Sequence, residues 1–337
     1  MKKSLLALSA VAVMFVGCGN KISDEQVKNF ETSLNNSIKN EIEKLKVLTA
    51  MFAIPSNVNI SDYKCENKGD YAECKSKGID VIINNQKVLS VEEIKIETNG
   101  FYTGDKKGSV SIKELAANTP KESFYKSEIK SIKLGEIAVG FASMLAISDN
   151  KLGMLPELAK DEYSINTITK TKDIANNGNV KVEFKLIGKH NKNELAFAID
   201  LDVLDKFFEI CDKLNITYNI DNYKIDNVDT LDKYDIDNKE FVESLLINSI
   251  ESKININNNL KAIKEYVMQN IDKVPEQFRP IVDSFFANTP HKFEQSLKVK
   301  NKYNMLKAIE ESENQLPKDF SDNVEIKING MNFTQIK

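Results

Sequence analysis

Residues 88–97 read Val88-Leu89-Ser90-Val91-Glu92-Glu93-Ile94-Lys95-Ile96-Glu97, and this stretch decides the fold class. Val91, Glu93, Lys95 and Glu97 alternate with Ile94 and Ile96. A period of two over this length is the mark of a strand with one dry and one wet face. The same period runs through 58–65, 71–75, 79–83, 109–113 and 124–133. Asn84-Asn85, Asn99-Gly100 and Gly104-Asp105 supply the breaks between these runs. The reading is a meandering, mostly antiparallel sheet with one solvated face.

Helical patterns flank it. Ser23 and Gln26 form a capping box, and Val27, Phe30, Leu34, Ile38, Ile42, Leu45, Leu48 and Met51 recur at three or four residues until Pro55. This amphipathic helix is expected to pack on the sheet. Residues 135–160 carry Ile137, Val139, Phe141, Met144, Leu145, Ile147, Leu152, Met154 and Leu155 and read as helix interrupted near Asp149. Core packing is their ordinary use, and an adaptable binding surface the alternative. Strands resume at 163–171, 180–187 and 194–201, with 189–193 as a hairpin connection. Helices are expected at 202–214, 239–252, 259–273, 276–287 and 305–315, and a strand at 292–300. A last hairpin turns about Asn329-Gly330. The fold class is therefore α+β, with helices flanking a mostly antiparallel sheet.

The first residues address the chain. Lys2 and Lys3 precede an apolar run from Leu5 to Val16, too short for a permanent membrane span. The run ends in Phe15-Val16-Gly17 directly before Cys18, which suits lipoprotein processing. Residues 1–17 are read as a signal peptide, 18–22 as a lipidated tether anchored through Cys18, and 23–337 as one elongated domain. Several acyl chains hold a bilayer far more firmly than one.

Two further cysteines invite a bridge. Cys65 and Cys74 flank Lys68-Gly69-Asp70-Tyr71, where Gly69 can take the positive φ of a II′ turn. Counting outward from the turn puts the cysteines on a closely spaced, non-hydrogen-bonded pair, and an exported chain permits oxidation. Cys211 is left as a buried thiol.

Residues suited to catalysis are few. His190 lies in the 189–193 turn and His291 at a strand start, and neither accompanies a serine elbow or an H-E-x-x-H helix. Gly104 to Ser109 has the wrong order for a phosphate loop. Asp221, Asp226, Asp229, Asp232, Asp235, Asp237 and Glu240 lack the glycine and closing glutamate of an EF-hand and read as a solvated loop. The net charge of −4 is interspersed and offers no basic field for nucleic acid, and there is no tryptophan to stack on sugar. A binding protein without cofactor or metal is the expectation, and an enzyme is not.

Five stretches carry a likeness to a known family: CGN at 18–20, SDEQVKNFETSLNNSIKNEI at 23–42, SDYKCENKGDYAEC at 61–74, YTGDKKGSVSIKEL at 102–115 and IKLGE at 132–136. In content and order they resemble the surface-exposed adhesin lipoproteins of Campylobacter typified by jejuni lipoprotein A. The resemblance implies a curved, unclosed half β-barrel with helices, mitt-like, with an apolar concave face. It also implies outer-membrane attachment through the N-terminal lipid and a host-cell surface protein as partner. Cys18 matches the lipidated cysteine, and Cys65 with Cys74 the hairpin pair. The alternative is a periplasm-facing envelope lipoprotein holding an acyl chain in the same concavity.

Overall fold

The computed structural model describes residues 22–51, 56–227, 230, 239–311 and 317–333. The expected signal peptide and Cys18 lie outside them. The described chain begins with α1 (Asp24–Met51), opened by the expected capping box: Ser23 N–H donates to Gln26 Oε1 at 3.0 Å and Gln26 N–H to Ser23 Oγ at 3.1 Å. Then come β1 (Ser56–Ile60), β2 (Lys64–Asn67), β3 (Ala72–Ser76), β4 (Ile79–Ile83), β5 (Gln86–Val91), β6 (Glu93–Thr98) and β7 (Ser109–Ser111). α2 (Ile112–Ala117), β8 (Glu122–Leu134), α3 (Glu136–Ser148), α4 (Leu155–Lys160), β9 (Glu162–Lys172), β10 (Asn179–Gly188) and β11 (Glu194–Val203) follow. α5 (Asp205–Lys213), β12 (Thr217–Asn219), β13 (Lys224–Asp226), α6 (Lys239–Val242), β14 (Leu245–Ile256), α7 (Lys261–Gln269) and α8 (Arg279–Ala287) lead to β15 (His291–Val299). The described chain closes with α9 (Met305–Glu311), α10 (Phe320–Asn323), β16 (Val324–Ile328) and β17 (Met331–Asn332).

Fourteen strands form one antiparallel sheet in the order β1-β4-β5-β8-β9-β10-β11-β14-β15-β16-β17, with β2, β3 and β6 branching off at β8. A small second sheet orders β13-β12-β7. The large sheet runs from β1 and β2 at one margin to β17 at the other without closing into a barrel. The fold is α+β, a curved open sheet flanked by helices, as expected. No helix among the described residues is long and apolar enough to cross a membrane.

The stretch 88–97 is two strands where one was expected. Glu92 is an extra residue between β5 and β6, so Val91 and Ile94 both reach the same apolar cluster. The break repeats on neighbouring strands: 61–63 parts β1 from β2, Lys77-Gly78 part β3 from β4, and β8 shifts register between Ile129 and Ile132. Ser131, within that shift, has φ +55°. Hydrogen bonds link the breaks, from Ser76 Oγ to Ser61 O at 2.6 Å and from Glu92 N–H to Lys130 O at 3.1 Å. Gly78 has φ +104°, and a Cβ there would meet Val91 O at 1.9 Å. Bulges bend the strands that carry them, so this line is a crease across the N-terminal half of the sheet.

Two other expectations change. Residues 109–113 are strand only to Ser111, which caps α2 by accepting the Glu114 N–H at 3.1 Å. Residues 239–252, read as helix, give the short α6 and then β14, an interior strand between β11 and β15. Pairing on both edges overrides the helical pattern there.

Two clusters bury the apolar face. The larger packs Val180, Val182, Ile199, Leu201, Leu245 and Ile247 from the sheet under α2, α5, α9 and α10, with Phe207 and Phe208 at its centre. The smaller seats Val27 and Phe30 of α1 on Cys74, Ile94, Ile96 and Phe101. Tyr223 touches both, and its ring meets Phe30 at 5.5 Å and Phe101 at 6.1 Å.

Candidate functional site

The register places one apolar row across seven adjacent strands: Ile94, Ile129, Ile165, Leu186, Leu195, Ile254 and Phe293 each stand directly opposite the next. At the usual strand spacing this row is roughly 29 Å long. α1 buries its first member, whereas Leu195 near its middle stays 41% exposed. Residues on the opposite face are charged and paired. Lys95 bridges Glu73 at 2.7 Å and Glu97 at 2.5 Å, Lys126 meets Glu97 at 3.0 Å, and Lys185 and Lys253 share Glu194 at 2.9 and 3.3 Å. A depression of about 640 Å³ opens on that polar side, where Ala196, Ala198 and Ser296 lie among Lys181, Lys185 and Lys327.

The second element is α3. Ile137, Phe141, Met144 and Ile147 are 45%, 57%, 58% and 88% exposed, and only Ala142 of this helix is buried. Their spacing of four, three and three residues sets them along one side of the helix. The expectation of core packing fails for these four, while Val139, Leu145, Leu152, Met154 and Leu155 are partly buried, because α3 follows Leu134 at the end of β8, where it packs on α4 and β5. No charged side chain falls between Glu136 and Asp149. The exposed strip is therefore apolar and uninterrupted.

Carboxylates fasten the loops at this end. Asp161 accepts backbone N–H groups from Glu162 at 2.8 Å, His190 at 2.9 Å and Asn191 at 3.1 Å, and lies 2.9 Å from His190 Nδ1. Burial pushes its carboxyl up, but the donors from His190, Asn191 and Glu162 outweigh this and hold it below the ordinary range. Glu162 accepts from Ser131 Oγ at 2.6 Å and pairs with Lys189 and Lys133, which brings it down to about 2. His190 thus lies in its turn as expected but is tied to a buried carboxylate, so the pair pins the β10–β11 loop. His291 is buried against Phe285 and Phe286, with Nδ1 3.2 Å from Phe285 O.

These carboxylates make stability acid-sensitive. Lys75 and Lys95 hold Glu73 near 2, and Lys206 and Lys307 do the same for Glu243. A depressed carboxyl contributes stability above its unfolded value and loses it as pH falls through the folded one. The urea midpoint is expected to be level above about pH 5 and to fall steadily toward about pH 2. A midpoint unchanged over that interval would contradict the role given to Glu73, Glu162 and Glu243.

The other sequence-singled residues separate. Cys65 and Cys74 are disulfide-bonded and directly opposite in the β2–β3 ladder. Lys68 N–H donates to Tyr71 O at 2.9 Å, and Gly69 has φ +99°, as the turn requires. Cys211 is a buried thiol that burial pushes up to about 12. Of the acidic run, Asp229, Asp232, Asp235 and Asp237 lie outside the described residues. Among the described residues no group of three or more His, Cys, Asp or Glu side chains converges as a metal site requires.

Pattern reading does not reach the apolar row, and it offers the exposure of α3 only as the alternative to core packing. The row depends on the register of seven strands, for which sequence offers only alternation within each strand. Searches of protein-family models and of curated proteins return no match to this chain.

Proposed function

We propose that this chain is a lipoprotein acylated at Cys18 and displayed on the outer membrane, where it binds a host-cell surface protein through its apolar side. It acts by binding and not as an enzyme. The observation that carries the proposal is the exposed strip of α3, Ile137 to Ile147. Contiguous exposed apolar patches on soluble bodies mark interaction sites, and aromatic side chains are frequent binding anchors. The resemblance of residues 18–136 to the adhesin lipoproteins, with Cys65 and Cys74 in the family's hairpin positions, supports the partner class.

The test is protease digestion of intact cells, with labelled palmitate incorporation and a Cys18→Ser control. Digestion of the displayed protein, with label and anchoring lost in the control, is the expected outcome. Label incorporation with complete protection would place the body inside the envelope.

That second outcome favours a lipid-binding envelope protein. The row from Ile94 to Phe293 supports this reading, since it is continuous, in register and long enough for an extended acyl chain. Lipid released at stoichiometric amount from protein purified without added lipid, read by mass spectrometry, would distinguish it from the adhesin.

A further inference from the structure

Ile22, the first described residue after the expected anchor, is held firmly. Ile22 is 5% exposed within the cluster of Ala72, Cys74 and Phe101. Its N–H donates to Gly69 O at 3.0 Å, and its carbonyl accepts from Asn67 Nδ2 at 2.8 Å. The same Asn67 amide donates to Asp24 Oδ1 at 2.8 Å, and its oxygen accepts the Gly69 N–H at 2.9 Å. The next residue, Ser23, opens the capping box of α1. Ile22 is thus strapped to the disulfide hairpin, with no slack between hairpin, core and helix.

Only residues 19–21 separate Cys18 from this strap. Fully extended, the links from Cys18 to Ile22 reach at most about 14 Å. The headgroup layer takes up roughly 6 Å of each leaflet. A chain acylated at Cys18 therefore has its β2–β3 turn at or just above the headgroups. The register places the far end of the molecule. Glu122 of β8, Thr98 of β6 and Ala72 of β3 stand at the hairpin end, while Leu134 of β8 leads into α3. Thirteen residues of β8 separate these ends. That is up to about 40 Å of strand.

We infer that the hairpin end of the sheet is a membrane-contacting surface, seated on the lipid headgroups of the bilayer that holds the Cys18 acyl chains, with α3 at the pole facing away. The inference rests on the proposed acylation of Cys18. Its occupant is a lipid surface engaged through the covalent anchor and not through bulk charge, because Lys68 and Lys172 at this end are paired with Glu66 and Glu122, and Asp24 and Asp70 lie beside them. The contact is therefore insensitive to the anionic content of the bilayer. Asn67 and the Cys65–Cys74 bridge act as positioning groups, since they keep the tether short.

The test uses the full lipidated protein in vesicles of phosphatidylethanolamine with varied phosphatidylglycerol, carrying a fluorophore at Lys121→Cys or at Ile147→Cys. Both positions are exposed. Headgroup spin-labelled lipid is expected to quench the Lys121→Cys label several-fold more than the Ile147→Cys label at every phosphatidylglycerol content. A flexible Gly-Ser insertion between Lys21 and Ile22 should erase most of the difference. Equal quenching of the two labels in acylated protein, or stronger quenching at Ile147→Cys, would overturn the orientation alone. An N-terminal peptide without acyl mass, together with protein that fails to join vesicles, would overturn the acylation and this inference with it.

Discussion

The double substitution Phe141→Glu, Met144→Lys is expected to abolish attachment to host cells while leaving the fold intact. Both side chains are more than half exposed on α3 and lose little packing when replaced. Surface changes of this kind shift stability by about 0.5 kcal/mol or less, and Glu followed by Lys on one helix face supports the helix. Binding is another matter. An apolar anchor in the centre of an interface contributes about 2 kcal/mol or more, and a charge buried against the partner adds a desolvation cost. The combined loss is expected to be at least about a hundred-fold in affinity, since about 1.4 kcal/mol is tenfold. Adherence counts on cultured host cells, with the urea midpoint of the purified variant alongside, supply the measurement. Undiminished adherence by a folded variant would remove α3 from the proposed contact and turn attention to the sheet row.

Phe208→Ala is expected to do the reverse, with a large loss of stability and no direct effect on any exposed surface. Phe208 is fully buried in the larger cluster, edge-on to Phe207 at 5.8 Å between ring centres. Removing a buried phenyl ring costs about 3–5 kcal/mol, because the cavity adds to the lost transfer free energy. That is a large part of the roughly 5–15 kcal/mol by which a domain is stable. Urea unfolding followed by circular dichroism checks it, with Phe141→Ala as the exposed control. A loss below about 1 kcal/mol would mean that α5 does not close the core as its burial implies.

The strands easiest to read were those whose alternation is unbroken. β9, β10 and β11 match the expected segments to within a few residues, and both the Cys65–Cys74 and Asn329-Gly330 hairpins form about their turn residues. The errors have separate physical origins. Glu92 moves Val91 to the face of Ile94, and only the adjacent pair Glu92-Glu93 hints at this. β14 was masked because Lys239 to Val242 does form a helical turn, after which the choice of strand depends on partners far along the chain. For α3, apolar composition describes a core helix and an exposed one equally well. What leaves it uncovered is its place beyond the end of β8.

An open sheet of this size offers two margins at which further strands could add, and unprotected margins let copies crowded in one plane polymerise. Both margins here are blunted. One ends in β17, two residues long, and the other divides at the crease into β1 and β2 of five and four residues. Asn57 and Asn59 of β1 stand exposed among its half-buried residues. Among the described residues both margins are therefore short, which works against edge-to-edge joining of neighbouring copies.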